Sequence, residues 1–68
     1  MLNKNELRAE IVRNGLTQKE VAKMIGVSEK TFISRMNKGV FGIDEVEIMV
    51  RELGIKNPMD IFFANKVT

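Results

Sequence analysis

Residues 17–37 read TQKEVAKMIGVSEKTFISRMN, and this stretch decides the fold. It holds two short amphipathic patterns hinged at Gly26. Each opens with a hydroxyl residue suited to capping a helix, Thr17 and then Ser28. In the first pattern Val21, Ala22 and Ile25 face inward at helical spacing. Thr17 and Glu20 form a capping box, in which the hydroxyl takes one orphan amide and the carboxylate reaches back for another. In the second pattern Phe32 and Met36, one helical turn apart, form the buried face. Gly26 supplies the left-handed backbone that a tight joint demands. Val27 follows it as a core plug, and Ala22 lets the two helices approach closely.

Two helices joined by a glycine turn have the layout of a helix-turn-helix, here over about 17–38. On a wheel of about 100° per residue, Lys30, Ser34 and Lys38 lie opposite Phe32 and Met36, with Thr31 and Asn37 on the flanks. That outer face carries hydrogen-bonding groups and positive charge. It suits a groove of base edges bordered by phosphates.

Outward from this centre, glycines and one proline punctuate the chain into about five short helical segments. The first runs from about Asn5 to Arg13, with Leu7 and Ile11 as its buried stripe and Val12 beside them, and stops at Gly15. The fourth starts near Gly42, where Glu45 closes half a capping box, and stops at Gly54. Its apolar face is Ile43, Val46, Met49, Val50 and Leu53. The last has Asn57 as cap, Pro58 at the first helical position, then Ile61, Phe62 and Phe63. No sustained alternation marks a strand, although a short extended piece near Val40 and Phe41 is compatible with the pattern. The expected fold is all-α: a compact bundle of about five short helices around a central helix-turn-helix, as one domain over 1–68.

Composition narrows the function. The chain has no cysteine and no histidine, which removes thiolate metal sites, disulfides and the commonest general base. Asp44, Glu45 and Glu47 crowd one helix start without a nucleophile or phosphate loop to work with, so they read as complements to the helix dipole. No catalytic residue, metal ligand, cofactor or small-molecule substrate is expected, and the protein reads as a non-enzyme. With no membrane span and no signal-peptide core, the expectation is a soluble, cytoplasmic protein. The net charge of +2 is unevenly spread. Residues 1–41 carry eight Lys/Arg against four acids, and residues 42–68 carry three against five. The basic half holds the helix-turn-helix, as expected of a chain whose front meets phosphate.

The residues L-T-Q-K-E-V-A at 16–22, G-V-S at 26–28 and T-F at 31–32 resemble the phage Cro and repressor family of helix-turn-helix regulators. A fuller resemblance is to the small Cro-like regulators of Gram-positive phages and prophages. Its counterparts here are Thr31-Phe32, Asn37-Lys38-Gly39, Phe41 and Ile61-Phe62-Phe63. The resemblance covers roughly Leu7 to Phe63 and implies a lambda-repressor-like DNA-binding domain. It implies base contacts from Glu29, Lys30 and Ser34 and a phosphate contact from Gln18. Chemically, Lys30 suits a guanine edge or a phosphate, Glu29 a cytosine amine, and Ser34 either kind of base. Thr31, Asn37 and Lys38 are expected at phosphates or on the flanks. The family often has an apolar residue three after the position of Phe32. Here it is Arg35, which is expected at a phosphate or base, and Met36 follows it. Ile33 is left either to pack inside or to meet a thymine methyl.

Adjacent Phe62 and Phe63 do not easily share one small core, and Ile48 lies among Asp44, Glu45, Glu47, Arg51 and Glu52. Ile48, Phe62 and Phe63 are therefore candidate dimer contacts. The implied function is a sequence-specific transcriptional regulator in the nucleoid, a Cro-like repressor that places its third helix in the major groove of a double-stranded operator, with monomer and homodimer both left open. The alternative is a helix-turn-helix protein-interaction module, such as an antitoxin, antirepressor or adaptor, with DNA binding secondary. A third option is the DNA-binding half of a longer repressor.

Overall fold

The caps and stops set out above enclose five helices in a computed structural model, which describes residues 2–63. They are α1 (Lys4–Arg13), α2 (Gln18–Met24), α3 (Glu29–Lys38), α4 (Ile43–Leu53) and α5 (Pro58–Phe62). Among the described residues there is no strand. Residues 40–42 belong to no helix and form no strand, and Gly42 has extended backbone at φ −70° and ψ 157°. The chain is an all-helical bundle. No helix among the described residues is long and apolar enough to cross a membrane. Residues 64–68 of the expected domain lie outside the described residues.

The helix starts are made by local chemistry. Oγ1 of Thr17 accepts from the Glu20 amide at 3.1 Å, and the Glu20 carboxylate accepts from the Thr17 amide at 2.8 Å. Ser28 caps α3 by accepting from the Thr31 amide at 3.1 Å. Asn3 does the same for α1 through the Glu6 amide. At α4, Gly42 has no side chain to offer. Only the reciprocal half exists, with Glu45 accepting from the Gly42 amide at 2.8 Å.

The turn between α2 and α3 is closed by two bonds that satisfy the last carbonyls of α2. The Gly26 amide donates to Lys23 at 3.2 Å and the Val27 amide to Ala22 at 3.0 Å. This closure places Gly26 at φ +82°. A Cβ there meets nothing within 4 Å, so the demand for glycine comes from the backbone angle and not from lack of room. The same closure, an amide donating to the carbonyl five residues earlier, recurs at the ends of α1, α3 and α4 through the amides of Leu16, Val40 and Ile55.

Leu7, Ile11, Val21, Phe32, Met49 and Ile61 are fully buried and form the centre of one core. Burial of each large side chain contributes about 1.5–3 kcal/mol. Three rings run through one side: Phe32 to Phe41 at 5.4 Å between centroids, then Phe41 to Phe62 at 6.5 Å, edge to face. The core is held at the chain start as well, where the Asn3 amide donates to the Ile61 carbonyl at 2.7 Å.

Several helix-face expectations need correction. Val12 is exposed, because it lies off the Leu7–Ile11 stripe of α1. Ile43 is 72% exposed, since the first position of α4 lies at the edge of the stripe that Met49 and Leu53 centre. Ile48, expected among the solvated charges, is half-buried and packs against the core. Neighbouring elements enclose more of α4 than its own hydrophobic stripe indicates. Phe62 is buried, which corrects its place among the dimer contacts, while Phe63 points outward at 45% exposure.

Candidate nucleic-acid interface

The candidate surface is the outer face of α3. Phe32 and Met36 anchor the opposite side in the core, and α2 packs across it, so burial sets which side of α3 faces outward. Glu29, Lys30, Ser34, Asn37 and Lys38 are consequently all exposed. Over ten residues the helix is about 15 Å long, comparable with the width of a B-DNA major groove of ~12 Å. Ile33 is exposed on the same side, which leaves it free for apolar contact with a ligand.

The charges on this face differ in availability. Neither Lys30 nor Lys38 has an ion-pair partner among the described residues. Lys19 and Lys23 on α2 are also exposed. Glu29 is at the first position of α3, where its charge complements the positive end of the helix dipole. Gln18, at the first position of α2, is half-buried.

Two expected site residues are engaged within the protein. The Ser28 hydroxyl donates to Thr31 Oγ1 at 3.0 Å, so Thr31 belongs to the cap of α3 as well as to its flank. The guanidinium of Arg35 pairs with the Glu45 carboxylate on α4. Sequence reasoning saw only the capping half of Glu45. The other half depends on the connection 39–42 bringing the first turn of α4 within reach of the last turn of α3, for which a separation of ten residues carries no local signal.

A second feature flanks the C-terminal end of α3. Leu2, Val40, Phe41, Val46, Phe62 and Phe63 line an apolar groove of about 380 Å³, with Lys38 and Gly39 at its edge. Chemically, the α3 face presents cations, a hydroxyl and an amide to a polar, anionic surface, and the groove presents apolar contacts. No group of acidic, histidine or cysteine side chains suited to a metal ion occurs among the described residues. No protein-family model, curated protein or solved structure matches the chain.

Proposed function

We propose that this protein is a sequence-specific regulator of transcription that reads double-stranded DNA with α3, after the manner of a Cro-like phage or prophage repressor. The observation that carries this reading is the division of α3. Phe32 and Met36 are sealed in the core, while Lys30, Ser34, Asn37 and Lys38 stand outward with both lysines unpaired among the described residues. Glu29, Lys30 and Ser34 face the bases. Gln18 and Lys38 hold phosphates, with Thr31, Arg35 and Asn37 on the flanks. A homodimer would set two α3 helices one turn of DNA apart on a near-palindromic operator in the cytoplasm. One such domain buries roughly 600–1,000 Å² on DNA. The reading assigns the chain no catalytic role. Fluorescence anisotropy on a labelled operator tests it. Binding that falls steeply and linearly in log salt supports it, and absence of retention at low salt contradicts it.

A second reading, a protein-interaction module, is favoured by the groove beside Phe63. It differs in its outcome: a partner protein competes at the groove, and substitution of Lys30 and Ser34 changes nothing.

A further inference from the structure

One carboxylate bridges α3 and α4. Glu45 Oε1 accepts from the Gly42 amide at 2.8 Å, and Oε2 meets Nη1 of Arg35. The Glu45 side chain is 16% exposed and that of Arg35 37% exposed, so the pair is partly withdrawn from water. On the helical wheel Arg35 lies about 60° beyond Lys38, at the edge of the outward face. By sequence alone it looks like a third cation for the DNA. Its position in the fold assigns it differently. To reach a phosphate it would have to leave Glu45, and the abandoned carboxylate would remain near the approaching anion. A charge that loses its partner in a partly buried place is costly, and its repulsion of phosphate offsets the gain from the released guanidinium. Kept together, Arg35 and Glu45 present no net charge to DNA, and they tie the last turn of α3 to the first turn of α4.

We propose that Glu45 is a positioning residue for the DNA-reading helix: it holds Arg35 against α4, so that Arg35 fixes the roll of α3 and neutralises no phosphate. This rests on the DNA-reading function proposed above. Lys30 and Lys38 are then the two cations that α3 itself offers to a duplex. Ser34, one residue before Arg35, owes its direction in part to this tie.

The test is the salt dependence and sequence discrimination of binding to a duplex selected by the wild-type protein. It compares wild type with the double variant Arg35→Met, Glu45→Gln, with Glu45→Gln alone and with Lys38→Met. Lys38→Met reduces the slope of log affinity against log salt by about one. Arg35→Met combined with Glu45→Gln, which removes the pair without leaving an unpaired carboxylate, keeps the wild-type slope, but its discrimination against a duplex with one changed base falls several-fold. Glu45→Gln retains an acceptor for the Gly42 amide and removes the charge that holds Arg35, and its slope steepens by about one as the guanidinium turns to phosphate. Two results overturn the proposal: a slope for the Arg35→Met, Glu45→Gln double variant that falls as for Lys38→Met, or a Glu45→Gln protein identical to wild type in both slope and discrimination. If the double variant does not fold, by circular dichroism, Glu45→Gln decides alone. Retention of no duplex by the wild-type protein is a separate result. It removes the DNA-reading function itself, and the positioning role with it, before any variant is compared.

Discussion

The side-chain amide of Asn14 donates to the carbonyl of Leu53 at 3.0 Å and to that of Glu10 at 2.8 Å. One small residue thereby ties the end of α1 to the end of α4, thirty-nine positions away. The Leu53 carbonyl belongs to the last turn of α4, where intrahelical donors have run out. Loss of this donor leaves a partly buried acceptor unpaired.

Asn14→Ala therefore destabilises the protein by about 1–2 kcal/mol, read from the urea midpoint. Asn14→Asp destabilises it more at neutral pH, because a carboxylate then faces two carbonyl oxygens. An unchanged urea midpoint for Asn14→Ala would show that the bond to Leu53 contributes nothing.

Gly26 and Gly42 make a matched pair of tests. Gly26 sits at φ +82° and Gly42 at φ −70°. Gly26→Ala costs about 1–2 kcal/mol through the backbone alone. A Cβ at Gly42 meets only the Glu45 carboxylate, at an ordinary contact distance of 3.5 Å, so Gly42→Ala stays within about 0.5 kcal/mol of wild type. Thermal unfolding of the two variants side by side distinguishes them.

Phe62 and Phe63 are adjacent in sequence and opposite in environment. Phe62→Ala removes the last ring of the Phe32–Phe41–Phe62 series and costs about 3–5 kcal/mol, comparable with the whole stability of so small a domain. Phe63→Ala leaves monomer stability within about 0.5 kcal/mol. If two copies associate through this end of the molecule, sedimentation equilibrium shows weaker association for Phe63→Ala. Unchanged association assigns the dimer contact elsewhere.

Much of this architecture was legible along the chain because it is made locally. Thr17 with Glu20, Ser28 with Thr31, and Gly26 in its turn all act within three or four residues, and their chemistry reads directly from residue type. The inner face of α3 was legible for the same reason, since Phe32 and Met36 are one turn apart. What local pattern does not carry is how far neighbours wrap around a helix. Ile48 packs against the core because neighbours reach it beyond the stripe of α4, and Ile43 is exposed because the first position of the helix lies at the edge of that stripe. The Asn14–Leu53 bond and the Arg35–Glu45 pair were invisible for a related reason. Each requires two distant segments to be placed before either residue has a partner. The outward direction of Lys30, Ser34 and Lys38 followed from the wheel, but the engagement of Arg35 did not.

The most direct test of the central claim is selection of duplexes from a random pool by the wild-type protein and by a Lys30→Ala, Ser34→Ala double variant. The account predicts that wild type enriches a near-palindromic sequence. It also predicts that the double variant enriches a different or degenerate one, with about 1–3 kcal/mol of discrimination lost for each base contact removed. An unchanged preferred sequence in the double variant, or no enrichment by wild type, would contradict it.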